Sequence, residues 1–123
     1  MTIIEAINRI DLLKPNTYTQ IEKVRWLSTL DSTIKTEIVD THEGGESVTF
    51  TEYDTNTPTT TQLLVPAPYD EIYLFWLESK IDYWNGEYGK YNNSISMFNA
   101  AYSSYEKHYN LTHSPKGKKR FLF

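Results

Sequence analysis

The chain has 123 residues, 39% of them hydrophobic, and no cysteine. That length supports one small domain and not two of ordinary size, and the missing thiols exclude disulfide staples and cysteine metal centres. Net charge is −4, but residues 116–123 (Lys-Gly-Lys-Lys-Arg-Phe-Leu-Phe) carry four cations and no anion, which leaves −8 for residues 1–115. An acidic body repels phosphate backbones and argues against a conventional nucleic-acid reader. Met1-Thr2-Ile3-Ile4-Glu5 lacks a basic lead into an apolar stretch, so no signal or transit peptide is expected. No run approaches the roughly 18 apolar residues of a membrane span.

Thr2 and Glu5 have the spacing of a capping box, and Ile3, Ile7 and Ile10 form an apolar stripe ending near Leu13, because Pro15 disfavours helix at Lys14. Thr19 and Glu22 repeat the capping pattern. Val24, Leu27, Leu30, Ile34 and Ile38 then predict one face of a second helix running to about Asp40, with Trp26 at its flank.

From Thr41 to Gln62 come eight threonines, four acids and no Lys or Arg. Alternation through Val48, Phe50 and Tyr53, opposed by Leu63-Leu64-Val65, predicts a short hairpin or an extended loop. A connection this long inside a small domain is typically a functional or partner-ordered segment.

Pro66-Ala67-Pro68 separates this insertion from a third helix, with Pro68 suited to the first turn and Asp70 and Glu71 to its positive end. Ile72, Phe75, Trp76, Leu77, Ile81 and Trp84 give that helix an apolar surface broad enough for contacts on more than one side. Asn85-Gly86 reads as a helix stop and favours an antiparallel helix hairpin over a kink. Tyr88, Tyr91, Ile95, Phe98, Tyr102, Tyr105 and Tyr109 follow at alternating spacings of three and four, a heptad seam built mainly of aromatics. The expected fold is therefore mainly α: a small bundle of about four helices over residues 1–110, a hairpin or loop insertion at 41–65, and an extended basic-aromatic tail at 111–123.

Groups that could carry chemistry are few. His42 with Glu43, and His108 with His113, lack metal-ligand spacing. Asp70-Glu71 fits helix-start electrostatics and Glu43 with Glu46 fits a solvated loop, so neither pair suggests general acid–base work. Gly44-Gly45 and Gly86-Glu87-Tyr88-Gly89 lack the lysine and glycine spacing of a phosphate loop. No catalytic residue, metal ligand or cofactor site is assigned, and an enzyme is not expected. Two features compete with their plainer readings. The aromatic seam is first a packing device and second a candidate interface, either between subunits or as a stacking platform for carbohydrate or bases. In the tail, Lys116, Lys118, Lys119 and Arg120 followed by Phe121, Leu122 and Phe123 have the make-up of a docking peptide, in which charge guides approach and aromatics fill pockets.

The run from Leu12-Leu13-Lys14-Pro15-Asn16-Thr17-Tyr18 into Lys23-Val24-Arg25-Trp26-Leu27-Ser28-Thr29-Leu30-Asp31 resembles the first half of the small head-tail connector proteins, or adaptors, of long-tailed phages and prophages of Gram-positive bacteria. Leu63-Leu64-Val65-Pro66-Ala67-Pro68-Tyr69-Asp70, Asn85 to Ser94 and Phe98-Asn99-Ala100-Ala101-Tyr102 are similar to the second half, and Pro115 to Phe121 matches a short basic close. The likeness covers nearly the whole chain and is weakest in the threonine-rich loop. It implies a structural virion protein, made in the host cytoplasm and placed in the neck at the capsid portal vertex. There, a ring of typically twelve subunits would extend the DNA channel, bind the portal protein and receive the next neck, stopper or tail-completion protein. Genomic DNA would pass close by without specific binding, and no membrane is involved. By this resemblance residues 116 and 118–123 are the portal-docking segment, and the 41–62 loop projects toward the channel or a neighbouring subunit. The alternative from a different class is a monomeric aromatic-rich module that binds single-stranded nucleic acid or carbohydrate by tyrosine stacking.

Overall fold

The computed structural model describes residues 1–116. Four α-helices make up most of it: α1 (Ile3–Leu13), α2 (Gln20–Ile34), α3 (Ile72–Trp84) and α4 (Tyr88–Thr112). The capping box at α1 is complete, with the Glu5 N–H donating to Thr2 Oγ1 at 3.2 Å and the Thr2 N–H to Glu5 Oε1 at 2.9 Å. The bond from the Thr2 N–H also holds the Glu5 carboxyl below its ordinary range. At α2 only half of the device forms. Thr19 Oγ1 accepts the Glu22 N–H at 3.2 Å, while the Glu22 carboxylate turns to Arg25 at 3.3 Å. The helix does not stop at Ile34 but widens into a π turn over Lys35–Val39, closed by the Asp40 N–H on Lys35 O at 2.8 Å, which keeps Ile38 in the buried stripe.

Helix α3 is the axis of the bundle. It packs on α1, α2 and α4, as its broad apolar surface predicts. Lys14 at the end of α1 reaches Asp82 near the end of α3, so these two helices run parallel. Helix α2 runs the other way, with the Tyr18 hydroxyl ahead of it donating to Asn85 at 2.7 Å and its Asp31 meeting Tyr73. The α3–α4 connection is the expected helix hairpin. Gly86, at φ +75°, lets its own N–H reach Tyr83 O and the Glu87 N–H reach Asp82 O, both at 3.0 Å, which satisfies the last carbonyls of α3.

Three expectations are corrected. Of the hairpin or loop expected at 41–65, the hairpin does not form: among the described residues there is no β-strand, only isolated bridges between Thr2 and Gln62 and between His42 and Pro115. The donors that a hairpin would pair are used elsewhere. The Tyr53 N–H goes to Ser28 Oγ at 2.9 Å and the Leu64 N–H to Asp31 at 3.0 Å, while Thr61 O and Thr59 O accept the orphan N–H groups of Ile3 and Ile4. The segment is thus an irregular strap across α2 and the start of α1, with a short 3-10 turn at Gly45–Ser47. Secondly, α3 begins at Ile72, after a turn in which the Tyr69 N–H reaches Pro66 O, so Pro68 lies outside its first turn. Thirdly, α4 extends to Thr112 with His113 as its C-cap, so residues 111 and 112 belong to the helix and not to a tail.

Candidate functional site

The tail begins tethered. The Glu43 N–H donates to Ser114 O at 2.8 Å and the Lys116 N–H to Thr41 O at 2.9 Å, so residues 114–116 run antiparallel along the chain that leaves α2. His42, buried between them, fixes the same junction from inside: its Nδ1 lies 2.5 Å from Ile38 O and its Nε2 2.6 Å from Asn110 Oδ1 on α4. Its ring meets Tyr109 edge-on at 4.8 Å, and Tyr109 in turn stacks on His113 at 3.9 Å. Of the expected docking residues, Lys116 lies at this junction, half exposed, with its ammonium 3.5 Å from Glu46. Lys118, Lys119, Arg120, Phe121, Leu122 and Phe123 lie outside the described residues.

The seven-residue seam of α4 divides along its length. Phe98, Tyr105 and Tyr109 are buried, Tyr91, Ile95 and Tyr102 are partly covered, and Tyr88 is 62% exposed. Phe98 packs on Trp76 at 4.9 Å and Tyr105 on Tyr69 at 5.8 Å, which makes the C-terminal part a packing device. Tyr102 is held by its hydroxyl on Glu37 at 3.0 Å, and burial together with that carboxylate raises its phenol well above the ordinary value. Tyr88 instead belongs to an exposed aromatic patch at the α3–α4 turn. Tyr83 lies 5.2 Å from Trp84, 6.1 Å from Tyr88 and 5.4 Å from Tyr91, and Trp84 is 59% exposed. Leu12 and Leu13 are exposed at the same end of the bundle. A cluster of large exposed aromatics marks a contact surface more often than does a scatter of single residues.

The histidines do not converge on one point. His108 stacks on Tyr69 at 4.6 Å and His113 on Tyr109, and among the described residues no group of three or more His, Asp and Glu side chains is arranged to hold a metal ion. Among the same residues no helix is long and apolar enough to cross a membrane. The Gly44-Gly45 pair has a structural use: Gly44 takes φ +85°, and a Cβ on Gly45 would stand 2.2 Å from Val39 O.

The most enclosed polar group is one that the sequence reading passes over. Asp31, fully buried on α2, accepts the Tyr53 hydroxyl and the Leu64 N–H on Oδ2 and the Tyr73 hydroxyl on Oδ1. The signal was present in the spacing, since Leu27, Asp31, Ile34 and Ile38 step by 4, 3 and 4 along the apolar face. Asp82 is similarly buried on α3. Its Oδ2 accepts from Ser94 at 2.9 Å, and its Oδ1, without a well-directed hydrogen bond, is compensated by the Lys14 ammonium at 2.5 Å. On either side of Tyr53 the strap leaves two open clefts against α2 that share Arg25; one is lined by Ile21, Val24 and three threonines, the other by Ser28, Thr29, Ser32 and Thr33. The strap's Glu43, Glu46, Glu52 and Asp54 are all exposed. Comparison with protein-family models, with curated proteins and with solved structures finds no match for this chain.

Proposed function

We propose that the protein is a non-enzymatic head-tail connector subunit of a phage neck, acting by binding alone. The observation that carries this reading is the separation of charge along one small helical unit: a body of −8 over residues 1–115, continued through a tethered root into a segment with four cations and three large apolar residues. A wall of like charge lets DNA slide without holding it. A short cationic segment ending in aromatics supplies steering and anchoring to a portal protein.

Two further observations support it. The segments 12–18 and 85–94, which carry much of the resemblance to connectors, meet at one end of the bundle, joined by the Tyr18–Asn85 hydrogen bond and the Lys14–Asp82 pair. That end also bears the exposed Tyr83, Trp84 and Tyr88, suited to lateral contacts in a ring. The strap, with four exposed acids and no basic residue, is assigned to the channel side or to a neighbouring subunit. The stacking-module alternative is the weaker one, because Tyr105 and Tyr109 are buried and Tyr91 and Tyr102 are partly covered.

Sedimentation with purified portal protein tests the proposal. The full chain should co-sediment and a chain ending at residue 115 should not. Failure of the full chain to bind overturns the connector reading, and unchanged binding by the shortened chain overturns the anchor assignment.

A further inference from the structure

Beside the root of the tail lies an open groove of about 260 Å³ between the strap and the last turns of α4. Val48, Leu64 and Pro66 form one wall, and Tyr105, His108 and Tyr109 the other, with His113 at the edge nearest the tail. The lining is apolar and aromatic, and Val48 and Leu64 are only partly covered although they pack on the core. The hydroxyls of Tyr18, Tyr53, Tyr73 and Tyr102 are all hydrogen-bonded to side chains. Six tyrosines have no hydroxyl partner among the described residues, and two of them, Tyr105 and Tyr109, line this groove. A site of this kind offers apolar walls for side chains, with two phenols among its lining residues.

We infer that this groove is the docking site for Phe121-Leu122-Phe123 of the same chain. Reach, charge and concentration all favour that occupant. Lys116 is fixed by its bond to Thr41, and Phe121 is five residue steps further on, a span of up to about 17 Å if extended. The groove begins at His113, three residues before that point. The strap around the root is acidic, with Glu46 already on Lys116 and Glu43 in no ion pair among the described residues, so Lys118, Lys119 and Arg120 meet carboxylates on the way. A segment tied this closely sees the groove at an effective concentration in the mM range, so even an intrinsic affinity of about 0.1 mM leaves it roughly tenfold more docked than free. The inference does not depend on the portal assignment; where both hold, the portal must displace the segment from the groove before it can bind.

The absence of cysteine makes the test direct. A nitroxide on Lys107→Cys, an exposed position next to His108, should broaden away most of the amide signal of residues 121–123 in the full-length, isotopically labelled chain. The same label in a Phe121→Ala/Phe123→Ala chain should restore those signals as the docked-to-free ratio falls from about ten to below one. Absence of broadening in the parent chain, or equal broadening in the double variant, overturns the inference. Mixing nitroxide-bearing unlabelled chains with isotopically labelled chains lacking the nitroxide should leave the tail signals sharp. Broadening in that mixture would assign the groove to the tail of a second copy and overturn docking within one chain. The readout does not involve the portal, so failure here is distinguishable from failure of the connector reading.

Discussion

The Tyr73 hydroxyl donates to Asp31 Oδ1 at 2.6 Å while it accepts the Val65 N–H at 2.7 Å, so one phenol joins α2, α3 and the strap. Burial pushes the Asp31 carboxyl above its usual range, against the hydrogen bonds from Tyr53, Tyr73 and the Leu64 N–H, which favour the anion. Tyr73→Phe leaves both Asp31 Oδ1 and the Val65 N–H without this partner, and a loss of about 2–4 kcal/mol is expected in urea unfolding. Tyr53→Phe should cost less, about 1–3 kcal/mol, because the Leu64 N–H still serves Oδ2. The reverse ranking would show that Tyr73 does not have this joining role.

Alkali should unfold the protein through the same phenols. Burial, with the Asp31 charge beside them, raises Tyr53 and Tyr73 well above the ordinary tyrosine value, and burial pushes Tyr105 up to about 12. Because each folded value exceeds the unfolded one near 10, the stability linked to each phenol is complete below about pH 10 and is lost as pH rises toward the folded value. Each contributes a slope of up to about 1.4 kcal/mol per pH unit in that interval. Urea midpoints should therefore be flat from pH 8 to 9.5 and fall steeply above 10, and Tyr105→Phe should make the fall shallower. A midpoint that holds to pH 12 would refute the linkage.

The Lys14–Asp82 pair gives a prediction about charge. Asp82 is 1% exposed, and removing its cation leaves a buried carboxylate supported by Ser94 alone. Lys14→Met should cost about 3 kcal/mol, whereas Lys14→Met combined with Asp82→Asn should recover much of that loss, since no bare charge then remains inside. Additive losses in the double variant would show that the two side chains act separately.

Neighbouring glycines in the strap should differ in their tolerance. At Gly44 alanine meets no atom and only the left-handed backbone resists it, at about 1–2 kcal/mol. At Gly45 the added methyl would collide with Val39 O, so the π turn or the strap must move. Thermal midpoints should fall further for Gly45→Ala than for Gly44→Ala.

The helices were legible because their signals are local: a threonine three residues before a glutamate, an isoleucine stripe, an asparagine-glycine stop. The strap was not legible, because what decides it is where its donors go, and Ser28, Asp31 and the free N–H groups of α1 are remote in sequence. Val48, Phe50 and Tyr53 do pack on the core, but against helices and not beside a partner strand. Of the candidate site, the tethering of Lys116 depends on Thr41 and Glu46, more than sixty residues earlier. Nothing in the tail's own composition announces those partners.

The three-residue turn between α3 and α4 has a kinetic consequence. Its helices can pair after closing a very short loop, whereas the bonds to Asp31 span 22 residues to Tyr53 and 42 to Tyr73. The α3–α4 hairpin should therefore be in place at the rate-limiting step, with the strap threaded onto Asp31 afterwards. Chevron plots should show Gly86→Ala slowing refolding, and Tyr53→Phe leaving refolding nearly unchanged while it hastens unfolding.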